Sequence, residues 1–101
     1  MNMSLASSTP MNKPHSPIVI VTGASSGVGL YATASLIQQG WHVVMACRDL
    51  AKAQRVAAEM QLPAGHFTLM HLDLGSLQSV RDFVAAYSAL GWPLHALLNN
   101  A

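Results

Sequence analysis

Short apolar blocks alternate along the chain with longer stretches in which apolar positions recur every three or four residues. Ile18-Val19-Ile20-Val21 is continuous and β-branched, bounded by Pro17 before it and Gly23 after it. A run with no polar side predicts a strand covered on both faces, as in a parallel sheet. A helix is predicted from about Gly27 to Gln39, closed by Gly40, a residue suited to the left-handed position beyond a helix end. His42 to Ala46 reads as a second strand. Asp49 offers an N-cap to a second helix, with Leu50, Ala53, Ala57 and Met60 along one side. Leu62-Pro63-Ala64-Gly65 breaks that helix, and Phe67 to Leu72 reads as a third strand. Ser76 can cap a third helix carrying Leu77, Val80, Val84 and Tyr87 at helical spacing. Gly91-Trp92-Pro93 ends it, and Leu94 to Leu98 starts a fourth strand.

The predicted order is β-α-β-α-β-α-β. Strands alternating with helices of this length imply right-handed crossovers and a parallel sheet with helices on both faces. The expected class is therefore α/β, a Rossmann-like doubly wound parallel sheet, of which only part is present. Residues 1–17 hold Ser, Thr, Asn and three prolines without apolar periodicity, and read as a disordered leader. The leader has one lysine, Lys13, no arginine and no apolar core segment, which argues against a signal or transit peptide. Residues 18–101 form the expected nucleotide-binding half-domain, truncated at its carboxyl end.

Composition narrows the choice of partner. Of 101 residues, 51% are hydrophobic and 9% charged, where a soluble domain carries about 25% charged residues. So little charge suggests a surface that something else covers. The net charge of +1 supplies no basic stripe for nucleic acid. A lone cysteine, Cys47, excludes a disulfide within the chain and a thiolate metal cluster. No apolar stretch reaches the ~18 residues of a membrane-spanning helix, so a cytoplasmic location is expected. None of the five histidines are spaced i, i+4 on a predicted helix, and His66 and His71 fall on opposite faces of a strand, so no metal is expected.

Chemistry concentrates in Thr22-Gly23-Ala24-Ser25-Ser26-Gly27-Val28-Gly29, between the first strand and the first helix. Gly23 allows a tight turn off the strand, while Gly27 and Gly29 let backbone approach a pyrophosphate and pack against the strand. A helix N-terminus there offers unpaired N–H groups and a positive dipole end, and Ser25 and Ser26 add hydroxyl donors. The second strand ends Met45-Ala46-Cys47-Arg48, with no acid before the arginine to accept from a ribose 2′-hydroxyl. Arg48 can instead fork onto a 2′-phosphate, with Lys52 a second cation one turn on, which reads as NADP. Asp49 can engage the ribose or cap its helix; the cap is preferred. Asp73, ending the third strand, can accept from an adenine amino group or cap the turn into the Ser76 helix. Asn99-Asn100-Ala101 closes the fourth strand at the same edge, where amides can bridge cofactor and backbone. Cys47 beside Arg48 can have its pKa lowered, though a small buried residue is the simpler account, and Met45, Met60 and Met70 read as core.

Thr22 through Gly29, Asp73 and Asn99-Asn100-Ala101 together resemble the amino-terminal half of a short-chain dehydrogenase/reductase. Residues 29–33, 40–50, 70–74 and 79–84 more closely resemble the light-dependent protochlorophyllide reductases, a likeness running from Pro17 to Ala101. The resemblance implies light-triggered hydride transfer from NADPH to one double bond of protochlorophyllide, the small-molecule substrate of the full-length protein. It implies that Gly23, Ser25, Ser26, Gly27 and Gly29 hold the phosphates, that Arg48 and Lys52 take the 2′-phosphate, and that Asp73, Leu74, Asn100 and Ala101 line the adenosine side. It also implies peripheral attachment to photosynthetic membranes, although no basic amphipathic helix supports this, and it leaves a homo-oligomer open. That family usually has Cys-Asn-Ala where this chain has Asn99-Asn100-Ala101. Relatives acting on a carbonyl or retinoid, and a non-catalytic NADP-binding module, therefore stay as alternatives.

The superfamily's acid is a tyrosine whose phenol is acidified by a lysine four residues on. Here Ser35 follows Tyr31 at that spacing and Gly91 follows Tyr87, so no catalytic residue is assigned. The chain reads as a fragment with an uncovered apolar edge at its fourth strand, expected to be inactive and prone to aggregate alone.

Overall fold

A computed structural model describes residues 13–100, so most of the leader expected over 1–17, and Ala101, lie outside the described residues. Four strands, β1 (Ile18–Thr22), β2 (His42–Cys47), β3 (Phe67–His71) and β4 (Ala96–Leu98), alternate with α1 (Gly27–Gln38), α2 (Leu50–Glu59) and α3 (Leu77–Leu90). The sheet order is β3-β2-β1-β4 with every pair parallel, matching the predicted doubly wound α/β class. β1 and β2 are central and buried at every position, as their unbroken apolar runs require.

Strand alternation divides the core in two. Val19, Val21, Val43, Met45 and Cys47 face α1 and α2, packing with Ala24, Ile37 and Ala53. Ile18, Ile20, Val44 and Ala46 face α3, where Tyr87, Trp92 and Leu72 cover them. Full burial of each such Val, Ile or Met contributes about 1.5–3 kcal/mol, which makes these two strands the main stabilising unit.

Helix ends follow local chemistry. After α1, Gly40 takes φ +98°, its N–H donates to the Ile37 carbonyl at 3.0 Å, and the Trp41 N–H donates to the Leu36 carbonyl at 3.0 Å. This paired C-terminal motif is the one Gly40 predicts. α2 ends the same way before its expected Pro63 break: Gln61 takes φ 54°, with Gln61 N–H on the Ala58 carbonyl and Leu62 N–H on the Ala57 carbonyl, both at 3.0 Å. Asp49 and Ser76 cap α2 and α3 as expected, accepting from the N–H groups of Lys52 and Ser79.

Three expectations about sides and ends need correction. On α2 only Ala53 and Ala57 are buried; Leu50 and Met60 are exposed, because small residues bring this helix close to the sheet and leave its ends outside the contact. On α3 the covered row is Val80, Phe83, Tyr87 and Leu90, while Leu77 and Val84 face outward. The helix is thus rotated from the expected stripe, and Phe83 and Tyr87 stack along it with ring centres 6.3 Å apart.

The fourth strand begins at Ala96, not Leu94. The Pro93 carbonyl turns away to accept from the Tyr87 hydroxyl at 3.0 Å. His95 then replaces ladder with side chain: its N–H donates to the Ile18 carbonyl at 3.0 Å, and its ring Nδ1 accepts the Ile18 N–H at 2.9 Å. Nearby, His42 is buried, with Nε2 2.8 Å from Thr68 Oγ1 and its ring edge-on to Trp92.

Candidate functional site

At the carboxyl end of the sheet, strands give way to loops around a cavity of about 610 Å³, within the size range of small-ligand clefts. β1 delivers the glycine-rich turn. The Gly23 N–H still donates to the Ala46 carbonyl at 3.1 Å, so the turn leaves the sheet only after that bond. Gly23 takes φ +61°, and a Cβ there would lie 2.9 Å from the Asn100 carbonyl oxygen. Gly29 is buried, and a Cβ there would meet the Gly23 carbonyl oxygen at 2.2 Å and Asn100 Nδ2 at 2.6 Å. No side chain fits at either position, so the start of α1 is pressed directly onto the turn.

The N-terminus of α1 differs from the other two. Ser26 stands at the cap with extended backbone, yet its side chain makes no capping hydrogen bond. The first N–H groups of α1 and its positive dipole end therefore have no side-chain cap, whereas Asp49 and Ser76 each accept one N–H at the starts of α2 and α3.

Opposite this terminus, β2 and α2 supply Arg48, which is exposed, and Lys52, which is half-buried. Asp49 Oδ1 accepts from the Lys52 N–H at 3.0 Å, which is the capping role preferred for it. Beneath them the Cys47 thiol is buried. Desolvation pushes its pKa above the usual thiol range, against hydrogen bonds from Ala24 and Ser25 and the charge of Lys52. Burial thus outweighs the lowering that a neighbouring cation would give.

From β3 come Asp73 and Leu74. The Asp73 N–H donates to Ser79 Oγ at 2.8 Å, and its Oδ1 accepts from the Gly75 N–H at 2.9 Å. Asp73 thereby closes the turn into α3 and also lines the cavity, so the geometry accommodates both roles considered for it.

Of the residues singled out in the sequence, Gly23, Ser25, Ser26, Arg48, Lys52, Asp73 and Leu74 line this one cavity. Gly27 and Gly29 do not line it; Gly29 seals the turn from behind, and Gly27, at φ +56°, stands in open space. Asn100 also lies behind the turn, against Gly23 and Gly29, and Ala101 is outside the described residues.

Sequence reasoning assigned nothing to Thr22, which organises the floor. Its hydroxyl donates to Asn99 Oδ1 at 2.9 Å and accepts the Asn100 N–H at 2.8 Å. The clue was available: a hydroxyl at the last position of β1 and paired amides at the end of the neighbouring strand. A second, largely apolar cavity of about 360 Å³ shares Thr22, Leu72 and Leu74 with the first and continues between α3 and β4 past Phe83 and Leu97. Among the described residues no helix is long and apolar enough to cross a membrane.

Comparison with known proteins places these features in context. A family model described as short chain dehydrogenase matches residues 17–101. The chain is 54% identical over 85 residues to protochlorophyllide reductase A, chloroplastic, of Oryza sativa subsp. japonica, covering 83% of this chain and 22% of that protein. It is 54% identical over 83 residues to the chloroplastic protochlorophyllide reductase of Chlamydomonas reinhardtii, covering 81% and 21%. The chain thus spans about a fifth of the length of these curated relatives. Among solved structures, the RhlG/NADP active-site complex of Pseudomonas aeruginosa superposes with a TM-score of 0.75 at 28% identity, covering 92% of this chain and 37% of that one. An actinorhodin polyketide ketoreductase variant with NADPH gives 0.74 at 27%, covering 90% and 35%.

Proposed function

The chain belongs to the short-chain dehydrogenase family, and on that premise we propose that it is the NADPH-binding part of a protochlorophyllide reductase. The observation that carries this reading is one cleft holding both an uncapped helix N-terminus and two cations, Arg48 and Lys52. A dinucleotide with a 2′-phosphate needs both: backbone donors for its pyrophosphate and a planar fork for the extra phosphate. The likeness to the rice and Chlamydomonas enzymes supplies the substrate.

Bound NADPH would supply a hydride. The chain's own residues hold and orient it. Gly23, Ser25, Ser26 and Gly27 present backbone and hydroxyl donors to the pyrophosphate, with Gly29 keeping α1 close enough for its N–H groups to reach. Arg48 and Lys52 take the 2′-phosphate. Asp73 and Leu74 form the adenosine side, and Asn100 supports the glycine-rich turn from behind. Acid chemistry and the pigment pocket belong to other parts of the full-length enzyme, for which the substrate is protochlorophyllide and the location is peripheral to photosynthetic membranes.

A second reading rests on Asn99, whose side chain accepts from Thr22. The wider superfamily commonly has asparagine here, which favours an NADP-dependent relative acting on a carbonyl or retinoid. Two experiments test the proposal. Titration of the chain with NADPH and NADH should show clear preference for NADPH; equal affinity removes the assigned role of Arg48. The full-length enzyme should convert protochlorophyllide under illumination and not in darkness, whereas dark reduction of a carbonyl substrate supports the second reading.

A further inference from the structure

Three ladder pairs join β4 to β1, so polar side chains at the two ends of β4 matter to its attachment. At the carboxyl end Thr22 ties Asn99 and Asn100. At the amino end His95 grips Ile18 twice, through its own N–H on the Ile18 carbonyl and through ring Nδ1, which accepts the Ile18 N–H at 2.9 Å. Ile18 is 0% exposed, so its N–H finds no ready water partner when the ring leaves. An imidazole nitrogen accepts only while it carries no proton. The ring bond and a proton on Nδ1 are therefore mutually exclusive, and His95 itself is exposed, within direct reach of solvent protons.

We propose that His95 is a proton-sensitive clamp, holding the amino end of β4 to β1 while its imidazole is neutral and releasing it when the imidazole is protonated. β1 has no titratable side chain, and ahead of β1 the chain carries Lys13 and His15. From α3, Tyr87 keeps its hydroxyl on the Pro93 carbonyl, and at the start of β2 the His42 ring is engaged by Thr68. Loss of the clamp opens one end of an edge strand, a local event distinct from unfolding of the β1–β2 centre.

Amide exchange of the full chain, expressed as protection factors at about pH 7.5 and about pH 5.5, tests this across the histidine range. The Ile18 amide should lose about tenfold in protection at the lower pH, the effect of one buried hydrogen bond. The Val44 amide, central in β2, should change far less. His95→Asn places a non-titrating acceptor where Nδ1 stands and should keep Ile18 protected at both values. The imidazole ¹⁵N shifts of the unaltered chain should show the proton of neutral His95 on Nε2. Unchanged Ile18 protection, an equal loss in His95→Asn, or a proton on Nδ1 at the higher pH each overturns the clamp. Should His95→Asn fail to fold, the ¹⁵N shifts of the unaltered chain still decide.

Discussion

At the amino end of the sheet, His42 meets Thr68, the Tyr87 hydroxyl meets Pro93, and both the N–H and ring of His95 meet Ile18. At the carboxyl end Ser26 stands at a helix start without capping it, and Arg48 and Lys52 line an open cavity. Both ends belong to the same four strands. The difference lies in what is left over. At the amino end these polar groups are spent on the fold, while at the carboxyl end Ser26, Arg48 and Lys52 line an open cavity beside the bonds that Thr22 and Asp73 make within the fold. Substitutions at the amino end should therefore register as stability, and most of those at the carboxyl end as binding.

The largest expected effect also marks an exception to that division. Gly29→Ala drives a Cβ into the Gly23 carbonyl, backbone against backbone, with Asn100 Nδ2 behind it. Overpacking of this kind should destabilise the chain by about 3 kcal/mol, read as a lower urea midpoint, and abolish NADPH binding. At the amino end, Thr68→Val removes the hydroxyl beside His42 with little change of shape. It should destabilise by about 1 kcal/mol and leave NADPH affinity unchanged. An affinity loss in Thr68→Val would break the comparison.

Arg48→Ala comes next. An exposed arginine at the rim of a cavity should contribute little to folding, so stability should shift by less than about 0.5 kcal/mol. NADPH affinity should fall about 30-fold, the effect of losing a hydrogen-bonded charge at a phosphate, with NADH affinity unaltered. Isothermal titration with both nucleotides measures the two arms.

The capping serines sharpen the contrast further. Ser76→Ala removes the side-chain acceptor for the Ser79 N–H and should lower stability by about 1 kcal/mol. Ser26→Ala removes a hydroxyl that caps nothing, so it should alter stability by less than about 0.5 kcal/mol and weaken NADPH binding instead. Thermal melts with and without NADPH separate these results.

How far this was legible in the sequence depends on what each feature needs. β1 and β2 announce themselves because two-sided burial requires unbroken apolar runs, and Asp49 and Ser76 because capping is local chemistry. The row of α3 that faces the sheet is not legible because Leu77 and Val84 are as apolar as Phe83 and Leu90, and only the neighbouring strands decide which row is covered. The start of β4 is hidden for a different reason. A histidine ring replaces a ladder bond to a residue 77 positions away, which no local pattern encodes. The glycine-rich turn was legible as a motif, but the role of Thr22 behind it depends on Asn99 and Asn100 arriving from the far end of the chain.

The smallest expected effect concerns pH, and it again separates the two ends. Burial of the His42 ring lowers its pKa from the ordinary 6.5, outweighing a raising hydrogen bond to Gly65, and His66 lowers it a little further. The folded chain thus binds fewer protons than the unfolded chain near that pH. The stability contributed by neutral His42 is fully present above 6.5 and declines as pH falls from there toward the folded value. Urea midpoints measured downward from neutral pH should decline. In His42→Gln, which keeps an acceptor near Thr68 without titrating, the decline should be shallower. His42 lies at the opposite end of β2 from Arg48, so NADPH affinity of the folded chain should not follow the same curve. An affinity that tracks His42 titration would mean that the two ends are coupled through β2, and the division between a stabilising end and a binding end would fail.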